Sequence, residues 1–336
     1  MNIVTHGLAS LALARAAWPR APRRMWIVAV AAGVIADADL ASAWWSAAAY
    51  LHWRQTYTHG LLTAAAVAAL FATAYRFLAA DDLRARFSSA NAFALALAAW
   101  WLHLLMDLFG WEGVAVLWPF SARRFAMDLV VSSDPWFLAV LLGALLFPEL
   151  LHLVGTEIGS QDTKPRGRIG ALVGFAMIVC YLGLRANFHA EVMTLLESRT
   201  FHGETAKRAG AFPEALSPIS WHSVVETERA LHELTVMVGP VEAFDPESAD
   251  TFFKPEPSAA LEAAQATRLA QDFLKVARFP HATVESTAAG SRVEIRDLRY
   301  AAVSQTGHEI LVVVTLDAAN RVVAEEIAWA QEVAQE

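Results

Sequence analysis

Apolar residues fill the first half of the chain in blocks long enough to cross a membrane, which takes about 20 mostly apolar residues as a helix. Four blocks qualify directly: 58–79, 90–110, 134–154 and 168–186. A fifth, 25–47, qualifies if Asp37 and Asp39 are tolerated within it. The stretch 5–18 is shorter and reaches only about 20 Å at 1.5 Å per residue. It reads as a short or tilted helix packed within a bundle, ended by Pro19 and Pro22. Pro135 suits the first turn of a helix that follows Asp134.

Beyond residue 187 the pattern changes. A helix-like stretch covers about 187–209. "WHSVVETERALHELTVMV" (221–238) alternates β-branched and polar residues and predicts paired strands. "SAALEAAQATRLAQDFLKVARF" (258–279) predicts an amphipathic helix with Ser258 as its N-cap. Strands are expected at 282–288, 291–297, 309–316 and 321–327, with "DAAN" (317–320) turning between the last two. The expected fold is a multi-span α-helical membrane bundle over 1–186, followed by a soluble α+β C-terminal domain over 187–336.

Charge sharpens this division. Residues 1–186 carry 14 Lys+Arg against 11 Asp+Glu, and residues 187–336 carry 12 against 23. An acidic soluble part argues against a nucleic-acid partner, because phosphate backbones recruit Lys and Arg. The bundle's partner is the lipid bilayer. Positive residues flank the spans unevenly: Arg20, Arg23, Arg24, Arg84, Arg86, Lys164, Arg166 and Arg168 on one side, Arg54, Arg123 and Arg124 on the other. The richer side is expected to be cytoplasmic. The loops 48–57 and 111–133, and everything after 187, then face away from the cytoplasm. The N-terminus does not read as a secretory signal, since its positive charge follows its apolar stretch. The single cysteine, Cys180, excludes an intramolecular disulfide and a thiolate-rich zinc site.

The chemistry lies in polar residues that the apolar blocks should not contain. Ionisable groups inside a membrane cost a few kcal/mol each on insertion scales and are functional candidates for that reason. They are His6, Asp37, Asp39, His59, His103 and Asp107, with Asp128 and Asp134 in an adjoining loop. His103 and Asp107 are four residues apart and share a helix face. Counted from the cytoplasmic side at 1.5 Å per residue, His6 and Asp37 lie about 18 Å up, His103 about 20 Å, Asp39 about 21 Å and Asp107 about 26 Å. His59 opens its helix at the far face. Each residue also has a structural reading: a hydrogen-bonded His103–Asp107 pair, a DxD at an unwound bend, an interfacial His6, a His59 that helps start a helix. Their common depth favours a divalent metal site, since histidine and carboxylate are what Zn²⁺ takes when thiolates are lacking. The set exceeds one tetrahedral shell, so one or two ions are expected, with a metal-activated water as the reagent.

Several pieces occur in the order seen in a known family: "THGL" (His6), "IADADL" (Asp37, Asp39), "YTHGLL" (Thr58, His59), "HLLMD" (His103, Asp107), "VLWPFSARRFAMDLV" (Trp118, Pro119, Phe120, Asp128) and "SSDPWF" (Asp134, Pro135). Through them, residues 1 to about 140 resemble the YdjM-like membrane-bound metal-dependent hydrolases. The resemblance implies a multi-helical inner-membrane protein with a metal-dependent hydrolase site. The ligand order is also similar to that of zinc-dependent bacterial phospholipases C. One position departs: where members carry a histidine five residues before the "TH" histidine, this chain has Arg54, with His52 two residues earlier. Either His52 replaces it, or Arg54 serves as a bidentate phosphate clamp.

The expected function is a hydrolase acting on a phosphoester of a lipid or lipid-linked substrate. His6, Asp37, Asp39, His59, His103 and Asp107 would hold the metal, and Asp128 or Asp134 would act as base or orienting group. The alternative is a non-enzymatic membrane protein, a metal or proton carrier or a lipid-binding scaffold. Arg123 and Arg124 read as head-group contacts or as a topogenic pair, and Trp44, Trp45, Trp53, Trp111, Trp118 and Trp136 as an interfacial belt. No Gly-x-Ser-x-Gly elbow surrounds Ser132 and Ser133, which argues against a serine hydrolase.

Overall fold

The computed structural model describes residues 1–157, 167–239, 244–300 and 310–329. The chain divides into two compact units, Met1–Ala41 with Trp53–Ala186, and Ser42–His52 with Asn187–Glu336.

The first unit is helical. It contains α1 (Ile3–Ala17), α2 (Arg24–Val34), α4 (Leu61–Leu78), α5 (Asp81–Arg86), α6 (Ser89–Phe109) and α7 (Pro135–Glu157), and α8 (Arg168–Ser198) begins in it. Among the described residues, five segments are long and apolar enough to cross a membrane: Arg24–Trp44, Leu61–Leu78, Ser89–Phe109, Pro135–Val154 and Arg168–Ser198. Their outward faces carry exposed Leu, Ile and Phe, as lipid contact requires, for example Leu70, Phe77, Leu146 and Ile169. Local signals set the ends. Asn2 caps α1 by accepting from Thr5 N, Ser88 caps α6 through Asn91 N, and Asp134 caps α7 through Phe137 N. Small residues line the helix contacts: Ala9, Ala12, Ala29, Ala32, Ala96 and Ala99 are buried and let backbones approach closely.

The fifth span is not one α-helix. Beyond α2 the chain tightens into a 3₁₀ segment, Ile35–Trp44, which carries both aspartates of "DADL". With three residues per turn, Asp37 and Asp39 point a third of a turn apart, so Asp37 reaches His6 while Asp39 reaches the backbone of Gln55.

The second unit holds α3 (Ala47–Trp53), whose Trp53 belongs to the first unit, and the end of α8. No glycine or proline interrupts residues 184–198, so α8 runs on to Ser198; the sequence had suggested a span ending at 186 and a separate helix to 209. Residues 200–213 instead form β1 (Thr200–Phe201), β2 (Glu204–Thr205) and β3 (Arg208–Pro213). His202 and Gly203, both at positive φ, make the tight turn between β1 and β2. A four-stranded antiparallel meander follows, formed by β3, β4 (Ser220–Glu226), β5 (Ala230–Met237) and β6 (Asp250–Phe253). It packs against Val192 and Leu196 of α8 through Phe201, Trp221, Val225 and Val236.

The predicted helix 258–279 is two helices, α9 (Ala259–Gln265) and α10 (Arg268–Val276). Ser258 caps the first, and Thr267 opens the second by accepting from Ala270 N. The last sheet has the order β10-β9-β8-β7, with β7 (Pro280–Thr287), β8 (Gly290–Asp297), β9 (Ile310–Asp317) and β10 (Val322–Trp329). Ala260, Leu261, Ala264, Leu269 and Phe273 of the helices pack on Val293, Ile295, Val312 and Val314 of this sheet. The 317–320 turn is present: Asp317 accepts from Ala319 N and Arg321 N, and Asn320 takes positive φ. The fold class is thus a helical membrane region followed by a C-terminal α/β domain.

Candidate metal centre

His103 and Asp107 project from one face of α6, and three other segments bring their polar groups to that face. His59 comes from the turn before α4, Asp37 from the 3₁₀ segment and His6 from α1. All five side chains are buried to within 2 % of full enclosure. His59 Nε2 lies 3.1 Å from Asp107 Oδ2, His103 Nε2 lies 3.3 Å from the same oxygen, and the two Nε2 atoms are 3.0 Å apart. Asp37, His59, His103 and Asp107 each place a ligand atom within 4.8 Å of the others and could hold a metal ion. Around an ion with bonds of 2.0–2.1 Å, tetrahedral ligand atoms stand about 3.3 Å apart.

Proton positions make the case stronger. His103 Nδ1 lies 2.7 Å from the carbonyl oxygen of Gly33, which only accepts, so Nδ1 carries the hydrogen. The neutral ring then presents a lone pair at Nε2. His59 Nδ1 faces Thr58 Oγ1 at 2.8 Å and Asp39 Oδ2 at 3.6 Å, which favours the same tautomer. Two imidazole lone pairs and a carboxylate oxygen thus converge on one point away from water. Without a cation such an arrangement is repulsive. Asp37 Oδ1 is also buried without a hydrogen bond. The donor set therefore fits a divalent ion.

His6 bridges the two carboxylates. Its Nδ1 is 2.8 Å from Asp37 Oδ2, and its Nε2 is 3.1 Å from Asp107 Oδ1, which the Met1 amine also reaches. Asp39 stands one step outward: its Oδ2 accepts from the backbone N of Gln55 at 2.6 Å. Gln55 itself adopts positive φ, which turns its N–H toward Asp39. His6 and Asp39 thus both adjoin the four-residue group: His6 contacts Asp37 and Asp107, and Asp39 Oδ2 lies 3.6 Å from His59 Nδ1.

Packing decides where Gly33 puts its carbonyl. A Cβ on Gly33 would lie 1.8 Å from Ser10 Oγ and 2.8 Å from Ser10 Cβ, so only glycine allows α1 and α2 to approach this closely.

Arg54 joins the centre. The Arg54 guanidinium lies 3.4 Å from Asp39 Oδ1, 3.7 Å from Asp37 Oδ1 and 3.1 Å from Glu112 Oε2. His52 belongs to the second unit, where its Nδ1 lies 3.9 Å from Asp272 Oδ2. Glu112 escaped the sequence reading, although an acid three residues past a helix that carries ligands was a usable signal. Burial pushes its carboxyl up, but the Arg54 guanidinium and a hydrogen bond from Ser132 hold it below the usual range.

Asp134, expected to serve as base or orienting group, makes two contacts of its own. It caps α7 and accepts from Tyr181 Oη at 2.9 Å. Asp128 is buried at positive φ on the strand-like return, its N–H donating to the carbonyl of Gly110, just beyond Asp107. Arg124 braces the loop rather than pointing freely at a ligand: it donates to the carbonyls of Arg54 and Gly113. Arg123 packs over Phe125.

Comparison with known proteins agrees with the geometry. No curated protein and no solved structure matches the chain. Residues 259–336 match the family described as YfhP C-terminal alpha/beta plait domain, which covers α9, α10 and the last sheet. Residues 1–192 match the family described as YdjM inner membrane protein, a span that includes every segment of the buried His/Asp centre. With more than half of its length matched and its apolar spans in place, the chain belongs to the YdjM inner membrane protein family.

Proposed function

We propose that this protein is a membrane-embedded, metal-dependent hydrolase acting on a phosphoester of a lipid or lipid-linked substrate. One observation carries the reading: His59 Nε2, His103 Nε2 and Asp107 Oδ2 meet within 3.3 Å of one another in a buried site. Zinc suits two imidazoles and two carboxylates best. When bound, the ion supplies Lewis acidity and lowers the pKa of a coordinated water.

The chain's own residues prepare the site. Gly33 O and Thr58 Oγ1 hold the two ligand imidazoles by their Nδ1 atoms. His6 keeps Asp37 and Asp107 a fixed distance apart. Arg54 keeps Glu112 ionised at the edge of the site. Asp128, whose N–H meets the Gly110 carbonyl just beyond Asp107, and Asp134, at the start of α7, are the candidates for proton transfer. A reacting group near the outer leaflet suits an amphiphile whose tail stays in lipid. The excess of Lys and Arg on the opposite side supports a non-cytoplasmic site and a soluble domain, 187–336, on that same side.

The test is metal content and hydrolysis together. Full-length protein in detergent is expected to hold zinc, and His103→Ala to retain under a tenth of it while still inserting into the membrane. Wild-type protein loaded with zinc is expected to cleave phosphoester lipids, and His103→Ala to lose that activity at least a hundredfold. Full metal content in His103→Ala would remove the metal assignment. Metal binding without cleavage of any phosphoester lipid would leave a binding or carrier protein.

A further inference from the structure

Four buried or half-buried carboxylates crowd the centre: Asp37, Asp39, Asp107 and Glu112. On the inner side, Asp107 faces the two imidazole lone pairs. On the outer side, the Arg54 guanidinium faces the other three acids. Arg54 Nη1 is 3.4 Å from Asp39 Oδ1 and 3.7 Å from Asp37 Oδ1, while Nη2 is 3.1 Å from Glu112 Oε2. Its side chain is 13 % exposed, so little water screens it. Arg124 holds the Arg54 backbone by donating to its carbonyl at 2.6 Å, which fixes the base of the side chain.

We propose that Arg54 takes the place of a second cation, so that this centre holds one divalent ion and not two. Asp37 is the carboxylate a second ion would share with the first, and its outer oxygen faces Arg54. Asp39 and Glu112, the remaining donors on that side, are paired with the same guanidinium. A guanidinium keeps its charge at any accessible pH and spreads it over a planar fork that matches several carboxylate oxygens. A dication on the outer side of Asp37 would sit against that fixed positive charge. It would also compete for the Asp39 and Glu112 oxygens that already accept from Arg54. No covalent step is involved, and the inference rests on the metal-site reading given above.

The experiment counts ions on the full-length protein in detergent, stripped with chelator and reloaded with zinc chloride or manganese chloride. One zinc per chain by elemental analysis is expected, with the uncoupled electron paramagnetic resonance spectrum of a lone Mn²⁺. Two ions per chain, or a spin-coupled manganese pair, would overturn the role of Arg54 and leave the metal reading intact. No ion at all would overturn the metal reading itself, and this inference with it. Arg54→Met is expected to expose a second zinc equivalent by calorimetry, at least tenfold weaker than the first. Arg54→Lys keeps the charge and is expected to bind one. A folded Arg54→Met whose isotherm matches wild type would also refute the proposal, while the wild-type manganese spectrum tests it without any variant.

Discussion

Gly33 shows how a residue with no side chain can shape a candidate metal site. Its missing Cβ lets α1 lie against α2 at Ser10, and the same backbone carbonyl accepts from His103 Nδ1. Gly33→Ala forces an overlap with Ser10 Cβ, which cannot rotate away as its hydroxyl can. Overpacking of this kind costs about 1–3 kcal/mol. The variant is expected to melt at a lower temperature in detergent. Because the carbonyl moves, it is also expected to bind zinc at least tenfold more weakly, in line with the loss of an outer partner. Equal zinc affinity in a folded Gly33→Ala would show that His103 needs no such anchor. At this scale the sequence announced the candidate ligands, since a histidine in an apolar helix stands out. It did not announce Gly33 or Gln55, whose parts are played by backbone atoms.

Among the elements, α7 and α8 show a polar residue doing structural work inside a membrane protein. Asp134 starts α7 by accepting from Phe137 N, and it takes the hydroxyl of Tyr181 from α8. Arg185, one turn further along α8, is fully buried and donates from Nε to the carbonyl of Leu129. Together these contacts tie the 127–134 return to α8. Losing an N-cap costs about 1 kcal/mol, and an orphaned hydroxyl adds a comparable amount. Asp134→Ala is therefore expected to lower the melting temperature by several degrees with zinc content unchanged. Loss of zinc at an unchanged melting temperature would return Asp134 to the metal centre. From sequence, Asp128 and Asp134 were equivalent loop acids; only the contacts separate them. The 3₁₀ segment was half legible, because "DADL" signalled a break in the span but not its tighter turn.

Over the whole molecule, the two units respond to different chemistry. The second unit buries His222, His232 and His281. Burial lowers all three below the ordinary histidine value of 6.5, and the carbonyls of Leu298 and Phe253 only partly offset this for His222 and His281. A depressed histidine pKa means that the folded state binds fewer protons than the unfolded chain. The stability these groups contribute is complete above about pH 6.5 and is lost as pH falls through the lower folded values. Hydrogen exchange on the full chain, corrected for intrinsic rates, is expected to show β4, β5 and β7 opening more readily at pH 5 than at pH 7.5. Equal protection at both values would mean that the three rings take up protons in the fold as readily as in the unfolded chain.

The sequence by itself determined the broad plan. Long apolar blocks must become helices in lipid, where every backbone group needs an internal partner, and alternating β-branched runs with turn residues must pair as strands. It also named the ionisable residues whose burial needed explaining. Tertiary structure decided which of them share a point, since distance along a helix says how deep a side chain lies but not which way its neighbours face it. It brought Arg54 and Glu112 together beside Asp37 and Asp39 and placed Asp134 at the start of α7. Those choices depend on helix rotation, on one close approach at Gly33 and on backbone carbonyls and amides, none of which leaves a mark in the order of side chains.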